Sequence, residues 1–292
     1  MVQEVKKIAF IGFGEAAYAF ARGWSRHEGL SVAAFDLKLL DPDTVGLMHK
    51  RCEEASVFAS GDQSQALAGA ELVFSLVTAD QALAAAHAAS SHINANALWL
   101  DCNSCAPQTK EKAAGLVQSV GARYVDVAVM APVHPKGHQV PLLLSGPHAD
   151  EAAGILVQLG MRPEVTGHKI GDASSVKMLR SVMVKGLEAL TAECLLAARR
   201  SGVEEAVLAS LQASDPGIDW RARGAYNLER MMVHGARRAS EMEEVCATLQ
   251  EMGLPDWMSR ATTEWQSRVA SMSLDPGPDD LALRSDILLD KI

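Results

Sequence analysis

The sequence contains no hydrophobic run long enough to cross a lipid bilayer. Its most apolar stretch, residues 66–89, is interrupted by Glu71, Asp80 and His87, whereas a membrane-spanning helix needs about 20 consecutive apolar residues. Residues 1–7 are mixed in charge and lead into a strand pattern, without the apolar segment that signal peptides carry. We therefore expect a soluble protein with no membrane partner and no secretion signal.

The sequence also has no excess of positive charge. It contains 27 lysines and arginines against 36 aspartates and glutamates, which gives a formal net charge of -9 at pH 7. A surface for nucleic acid or for an anionic membrane would have to form against this overall field. Neither is an expected partner.

Cysteines are few and do not form a recognisable set. The sequence has 5 of them, and only Cys102 and Cys105 lie near each other. Because no second pair or histidine cluster completes the four ligands of a zinc site, we expect no metal. An odd number of cysteines scattered through apolar patterns is typical of a reduced interior, which predicts a cytoplasmic protein.

The rest of the composition is that of a folded globular protein. Hydrophobic residues make up 48% and charged residues 22% of the 292 positions, which excludes a disordered or fibrous chain. The length is enough for about two domains of ~150 residues each. We expect a first domain over residues 1–168 and a second over residues 169–292.

The first part of the chain alternates short apolar runs with alanine-rich stretches, a pattern typical of β-α-β units in a parallel sheet. The predicted strands are Lys7–Ile11, Ser31–Phe35, Ser56–Phe58, Leu72–Leu76, Ala97–Asp101, Arg123–Val127, Pro141–Leu144 and Arg162–Thr166. The most clearly delimited helix between them is Ala106–Ser119, which has Pro107 in its first turn.

After Gly171 the sequence is helix-periodic, with almost no β-branched runs. Its first predicted helix, Ala173–Arg200, would be roughly 42 Å long and can join two domains. Further helices are predicted over Glu204–Ala213, Tyr226–Met252, Pro255–Met272 and Asp280–Ile292. The fold class is thus an α/β domain followed by an all-α domain, joined by a long helix.

Residues 7–17 form an apolar strand, the sequence G-x-G-x-x-A and the start of a helix. Gly12 allows the tight turn, Gly14 lets a pyrophosphate approach the backbone, and Ala17 keeps the helix close to the strand. The helix N-terminus then offers unpaired N–H groups to phosphates. This predicts a Rossmann-type dinucleotide-binding domain, the alternative being a turn glycine pair in another α/β fold. The expected cofactor contacts are Gly12, Phe13, Gly14, Glu15 and Ala16.

Two other segments are expected at the cofactor. Asp36 ends the second predicted strand, close to the spacing of about 20 residues expected for a ribose-binding carboxylate. A carboxylate accepts hydrogen bonds from a 2′-hydroxyl and repels a 2′-phosphate, so Asp36 favours NAD over NADP, although Lys38 weakens this preference slightly. Val77 and Thr78 follow the strand that ends at Leu76 and should approach the cofactor from the carboxyl edge of the sheet.

Three further segments extend the pattern. Residues 101–107 are similar to a D-x-S-T-x-x-P motif, residues 126–132 fall where D-A-P-V-S-G-G is found, and residues 171–181 are similar to G-x-G-x-x-x-K-x-x-x-N. Together with residues 12–17, these segments resemble the β-hydroxyacid dehydrogenase family, which includes 3-hydroxyisobutyrate, tartronate-semialdehyde and 6-phosphogluconate dehydrogenases. The likeness covers most of the chain and points to a divergent, 6-phosphogluconate-dehydrogenase-like branch.

The resemblance implies that Lys177 is the catalytic lysine and that Asn103, Ser104, Met130 and Ser181 line the substrate. Oxidation of an alcohol requires a group that removes the hydroxyl proton as hydride leaves carbon. A lysine does this near neutral pH only if desolvation or a nearby cation lowers its pKa from ~10.4. The alternative for Lys177 is an ordinary exposed helix lysine.

The sequence departs from the family pattern where a substrate carboxylate would be bound. Met130, Ala131 and Pro132 replace Ser-Gly-Gly, and Pro132 has no N–H to donate. Ser181 replaces the helix asparagine. His134 and His138 are either substrate contacts or ordinary loop residues, and Arg237 and Arg238 are either anion contacts or surface residues.

Helical spacing places Lys177, Ser181, Lys185 and Glu188 on one face of the long helix. Lys185 is either a cation that lowers the proton affinity of Lys177 or, as we favour, the partner of Glu188.

The sequence therefore predicts an NAD-dependent oxidoreductase that acts on a β-hydroxy acid or related alcohol with Lys177 as general acid and base. Alternatives are a non-catalytic NAD-binding regulatory protein and an imine or ketone reductase on the same fold. A helical domain of this size has apolar faces to cover, so we expect a homodimer, with a tetramer possible.

Overall fold

The structure, a computed structural model, describes residues 5–24 and 29–292. Residues 1–4, part of the N-terminal segment considered above, lie outside the described residues. The chain divides into two compact units, residues 1–177 and residues 178–292. Among the described residues, no helix combines the length and the apolar character needed to cross a membrane.

The first unit contains an eight-stranded sheet in the order β3-β2-β1-β4-β5-β6-β7-β8. Its strands are β1 (Lys7–Ile11), β2 (Ser31–Phe35), β3 (Phe58–Ala59), β4 (Leu72–Ser75), β5 (Leu98–Asp101), β6 (Arg123–Val129), β7 (Pro141–Ser145) and β8 (Arg162–Gly167). Neighbouring strands are parallel except β6 and β7, which are antiparallel. This sheet and the helices around it confirm the predicted Rossmann-type first domain.

Helices cover both faces of the sheet. They are α1 (Glu15–Trp24), α2 (Val45–Glu54), α3 (Gln63–Leu67), α4 (Ala82–Ser90), α5 (Pro107–Gln118) and α6 (Ala149–Gln158). Alternating strand residues enter two separate cores: Ile8 and Phe10 pack on the side of α1, α2 and α6, while Ala9 and Ile11 pack on the side of α3, α4 and α5. A strand buried on both faces has a continuous apolar sequence, which is why these strands were predictable.

Because β7 runs antiparallel to β6, the end of β7 lies level with the end of β5. Asp126, in the middle of β6, pairs with Asp101 at the end of β5 on one side and with Ser145 at the end of β7 on the other. The last residues of β6 therefore extend beyond β5. Strand β7 starts beside these last residues of β6 and runs back until Ser145 lies level with Asp101.

Many predicted bounds differ from those in the structure, and two of the differences have a clear local cause. Strand β3 was predicted over Ser56–Phe58 but pairs with β2 only at Phe58 and Ala59, because Ser56 has a positive φ of 57°, which is incompatible with an extended strand. The helix predicted to begin at Tyr226 begins at Trp220. Asp219 caps it by accepting a hydrogen bond from the N–H of Ala222 at 3.0 Å.

The second unit is helical. Helix α7 (Asp172–Arg200) begins in the first unit and continues into the second, which also contains α8 (Glu204–Ser214), α9 (Trp220–Glu251), α10 (Trp257–Ser271) and α11 (Leu281–Leu289). The core of this unit lies around α9, where Leu228 and Met231 are fully buried against Leu195 of α7 and Leu288 of α11. The helical second region confirms the predicted fold class.

Buried ion pairs connect α7 to α9. Lys185 lies 2.9 Å from the Glu241 carboxylate and donates to the Ser181 hydroxyl at 3.0 Å, while Glu188 pairs with Arg238. The expected Lys185–Glu188 pair is therefore wrong. Both side chains face α9, which presents Glu241 and Arg238 one turn apart and so offers each a partner of opposite charge.

Candidate functional site

The glycine loop between β1 and α1 requires its first glycine. Gly12 has a φ of 85°, and its N–H donates to the carbonyl oxygen of Phe35 at 2.8 Å. A Cβ at this position would lie 2.5 Å from the carbonyl oxygen of Leu76 and 2.8 Å from a methyl carbon of Val77. Only glycine allows β1 to turn this close to the end of β4.

The second glycine has open space above it. A Cβ on Gly14 would meet nothing within 4 Å, and α1 begins at the next residue, Glu15. Ala16 is partly buried, and Ala17 is fully buried where the helix packs against the sheet. A helix start beside open space and close-packed glycine backbone fits the pyrophosphate of a dinucleotide.

The carboxylate at the end of β2 contacts this loop directly. Asp36 accepts a hydrogen bond from the N–H of Phe13 at 2.7 Å and another from the N–H of Lys38 at 2.9 Å. These contacts fix the carboxylate beside the glycine loop, where a ribose would lie if a dinucleotide were bound. Each oxygen keeps a further lone pair for a ribose hydroxyl.

Asn103 joins the ends of β4 and β5. Its side-chain oxygen accepts the N–H of Val77 at 2.7 Å, and its side-chain nitrogen donates to Ser75 at 3.0 Å and to Asp101 at 2.8 Å. The residue is 3% exposed. The amide oxygen of Asn103 therefore holds the Val77 backbone, while its amide nitrogen is held by Ser75 and Asp101.

Lys177 reaches the next residue of the same segment. Its ammonium nitrogen donates to the hydroxyl oxygen of Ser104 at 2.5 Å, and both side chains are partly buried. The start of α7 thus lies beside the loop that follows β5. An amine and a hydroxyl in contact at this edge of the sheet can exchange protons with a bound alcohol or carbonyl group.

A buried ion cluster lies directly beneath these residues. Lys110, fully buried in α5, donates to the Asp101 carboxylate at 2.9 Å and lies 3.4 Å from the Asp126 carboxylate. Burial by itself lowers the pKa of Lys110, but Asp101, followed by Cys105 and Asp126, raises it above its ordinary value. The two carboxylates beside it therefore favour the charged form of the lysine.

Sequence reasoning missed Lys110. The inward-facing residues of α5 are Pro107, Lys110, Ala113, Ala114 and Val117, so a lysine interrupts an otherwise apolar face. That interruption was the available signal. The signal is weak, because most helix lysines are exposed to solvent.

The predicted site residues fall into two groups. Contacts along the carboxyl edge connect Asp36 to Phe13, Gly12 to Val77, Val77 to Asn103 and Ser104 to Lys177. Thr78 is exposed just beyond this arc. Met130 follows β6 and donates its N–H to the carbonyl oxygen of Pro141 at 3.0 Å. Ser181 belongs to the second unit, where it accepts the hydrogen bond from Lys185.

The two loop histidines lie apart from each other. His134 is 4.0 Å from the Glu15 carboxylate at the start of α1. His138 instead packs at the other end of that helix, where a Cβ on Gly23 would overlap its ring. The second histidine is thus a packing residue of the loop.

Comparison with known proteins places this geometry in a family. Residues 7–147 match the NAD binding domain of 6-phosphogluconate dehydrogenase, and residues 198–269 match a domain of unknown function. A conserved hypothetical protein from Sinorhizobium meliloti 1021 is 39% identical, with 100% of this chain and 98% of that chain covered and a TM-score of 0.79.

Two other relatives carry descriptive names. One, a conserved protein of unknown function with structural similarity to 3-hydroxyacid dehydrogenases, is 31% identical and covers 96% of this chain and 99% of its own, with a TM-score of 0.71. The 3-hydroxyisobutyrate dehydrogenase of Pseudomonas aeruginosa is 26% identical over 231 residues, which is 75% of this chain and 73% of that protein. The chain therefore belongs to the β-hydroxyacid dehydrogenase family, and its first unit contains an NAD(P)-binding domain.

Proposed function

We propose that this protein is an oxidoreductase that transfers hydride between NAD and a β-hydroxy acid or a related alcohol. The observation that carries the proposal is the contact between the Lys177 ammonium and the Ser104 hydroxyl. It lies on the segment whose Asn103 holds Val77 at the end of β4. An acid-base pair and a dinucleotide-binding loop thus lie along one edge of one sheet.

The chain's own residues would hold the cofactor. The loop and helix start formed by Gly12, Phe13, Gly14, Glu15 and Ala16 would bind the pyrophosphate, and Val77 and Thr78 would lie against the nicotinamide half. When bound, the cofactor supplies the hydride chemistry. The carboxylate of Asp36 would accept hydrogen bonds from the ribose hydroxyls and would repel a 2′-phosphate, so we propose NAD rather than NADP.

Lys177 would hold or release the proton of the reacting oxygen at its side-chain nitrogen. Ser104 accepts one hydrogen bond from that nitrogen and keeps its own O–H, which can be donated to a substrate oxygen. Asn103 differs from the expected substrate contact, because its amide is engaged on both sides. We therefore assign it to positioning Val77 and the adjacent Ser104.

We infer the substrate class from what the segment after β6 lacks. Pro132 has no N–H for a carboxylate, and Met130 presents a flexible apolar side chain. Within the first unit, substrate contacts would come from Ser104 and Met130. A substrate survey should therefore include alcohols whose binding depends less on a carboxylate than that of simple β-hydroxy acids.

The decisive experiment is a cofactor-reduction screen across hydroxy acids, amino alcohols and sugar acids, run with NAD and with NADP and combined with titration of NADH binding. Turnover of a hydroxy compound with NAD supports the proposal. Tight NADH binding without turnover of any compound would instead favour a non-catalytic regulatory protein. Turnover only of carbonyl compounds mixed with amines would favour the imine reductase alternative.

We propose a homodimer because the long helix α7 has a row of exposed apolar side chains. Leu179, Met183, Leu187 and Leu190 follow one another at helical spacing on α7 and are all exposed. A second copy of the chain would cover this apolar stripe. Light scattering of wild type and of Leu187→Glu tests this, because a monomeric wild type would refute it and a dimer that persists in the variant would place the interface elsewhere.

We also propose a cytoplasmic location. All five cysteines are free, and four of them are buried. Free thiols throughout a chain are typical of proteins in a reducing compartment.

A further inference from the structure

The buried Lys110 connects the two segments that bear Ser104 and Lys177. Its ammonium is shared by Asp101, which ends β5, and Asp126, in the middle of β6. It also donates to the backbone carbonyl oxygen of Asp101 at 2.6 Å. Each carboxylate in turn holds one of the two segments.

The Asp126 carboxylate holds the start of α7. It accepts the N–H of Ser174 at 2.9 Å and the Ser174 hydroxyl at 2.5 Å. Ser145, which donates to the same carboxylate at 3.1 Å, accepts the N–H of Ala173 at 2.9 Å. Lys177 follows Ser174 by three residues, so it projects from the same face of the helix.

The Asp101 carboxylate holds the loop after β5. It accepts the backbone N–H of Asn103 at 3.0 Å and one side-chain hydrogen of Asn103 at 2.8 Å. The Tyr124 hydroxyl donates to its other oxygen at 2.6 Å. The next residue is Ser104, whose position therefore follows that of Asp101.

Lys110 supplies the positive charge in a cluster that contains two carboxylates. Two carboxylates with 0% and 1% exposed side chains share one ammonium, which leaves one net negative charge. The first-turn N–H groups of α7 offset that charge, because a helix N-terminus carries partial positive charge. Without the ammonium, the bridge between the Asp101 and Asp126 side chains is lost, so the loop after β5 would separate from α7. Where both carboxylates remain, their mutual repulsion adds to this effect.

We propose that Lys110 is a positioning residue that sets the distance between Lys177 and Ser104. This rests on the proposed function above for its effect on turnover. Its effect on the geometry of Lys177 can be measured without any substrate.

The test compares three variants. Lys110→Met removes the ammonium and leaves an unbranched side chain that is one atom shorter. The double variant Lys110→Met with Asp101→Asn removes one charge of each sign, so the cluster keeps its net charge and the Asp126 contacts to α7 remain. Lys112→Met removes an exposed lysine two residues further along the same helix and is the matched control.

The first readout is the acetylation rate of individual lysines, followed by peptide mass spectrometry. In the double variant we expect Lys177 to be acetylated about tenfold faster than in wild type, as its contact with Ser104 is lost. Buried Lys185 in the second unit should keep its rate. Equal acceleration of Lys177 and Lys185 would mean general loosening of the fold and would overturn the proposal, as would an unchanged rate at Lys177.

The second readout is turnover with the substrate found by the screen. In the double variant we expect kcat to fall about a hundredfold, as for a catalytic group displaced by about 1 Å. The NADH dissociation constant of this variant should stay at the wild-type value. Lys112→Met should match wild type in both. If no substrate is found but Lys177 alone is acetylated faster, the positioning role stands and the proposed function fails. An unchanged kcat in a folded double variant would overturn the positioning role.

Discussion

The side-chain nitrogen of Lys177 and the hydroxyl oxygen of Ser104 lie 2.5 Å apart although 73 residues separate them in the sequence. Between them the chain forms β6, β7 and β8 with their connections. The contact is therefore a product of the sheet topology, and it brings an amine to the edge at which the glycine loop lies.

Removal of the amine should abolish turnover without affecting cofactor binding. We expect Lys177→Ala to lower kcat by about a thousandfold, within the range that general acid-base groups contribute, because the amine that would take up the proton of the reacting oxygen is removed. NADH affinity, measured by fluorescence titration, should remain that of wild type. Lys169→Ala, which removes an exposed lysine just before α7, is the control. Full activity in Lys177→Ala would refute the mechanism.

Cofactor preference should depend on Asp36. Asp36→Ala removes the charge that repels a 2′-phosphate, so we expect the ratio of NADP to NAD dissociation constants to fall by about tenfold. Binding of both cofactors, measured by calorimetry, gives this ratio directly. Asp43→Ala, an exposed aspartate in the connection that follows β2, should leave it unchanged. A wild type that prefers NADP would show that the role assigned to Asp36 is incorrect.

The two loop glycines should respond differently to alanine. Gly12→Ala forces a Cβ into the carbonyl of Leu76 at a positive φ, so we expect a loss of about 1–3 kcal/mol in the free energy of unfolding. Gly14→Ala meets nothing within 4 Å and should unfold like wild type while binding NADH at least about tenfold more weakly. Urea denaturation and NADH titration separate the two effects. Equal stability of both variants would contradict this reading of the loop.

The buried pair of Glu188 and Arg238 should show the asymmetry expected of buried charges. Arg238 donates to Glu188 at 2.7 Å through Nε, and Gln266 donates to the same oxygen at 2.9 Å. Glu188→Ala leaves the guanidinium buried and unpaired, so we expect a loss of about 3–5 kcal/mol. The double variant Glu188→Leu with Arg238→Met should be more stable than that single variant in urea denaturation. A double variant as unstable as Glu188→Ala would contradict the assignment.

Cys102 should resist alkylation in the folded protein. Burial raises its pKa to about 12, although Lys110 acts in the opposite direction. Because the thiolate is the reactive form, little of it exists at pH 8. Iodoacetamide labelling followed by peptide mass spectrometry should modify Cys102 in guanidinium chloride but not in native buffer, and equal rates in both would show that the thiol is accessible.

The strands and the glycine loop were predictable because their residue types are dictated locally. Residues 8–11 are apolar on both faces of a buried strand, and Gly12 stands where a side chain would collide with the end of β4. Lys177 was identified because residues 171–181 resemble a family segment. Its contact with Ser104 agrees with that identification, while its role remains a prediction.

Long-range polar pairing could not be predicted in the same way. Lys110 is paired with Asp126 of a neighbouring element, and Ser174 forms a hydrogen bond with Asp126 from 48 residues away. Neither contact can be predicted from the local spacing of residues in the sequence. Lys185 and Glu188 had the spacing of an intrahelical pair, but packing against α9 offered each a buried partner. Tertiary contacts decided both cases.

The antiparallel pairing of β6 with β7 determines where Ser145 lies along β6, and Ser145 in turn contacts the start of α7. A slip of two residues would keep every side chain on its own face of the sheet, yet it would carry Ser145 about 7 Å along β6. Ala173 would then lose its acceptor, and the amine one turn later would be out of reach of Ser104. The position of the lysine is thus set by the register of a strand pair to which the lysine itself does not belong.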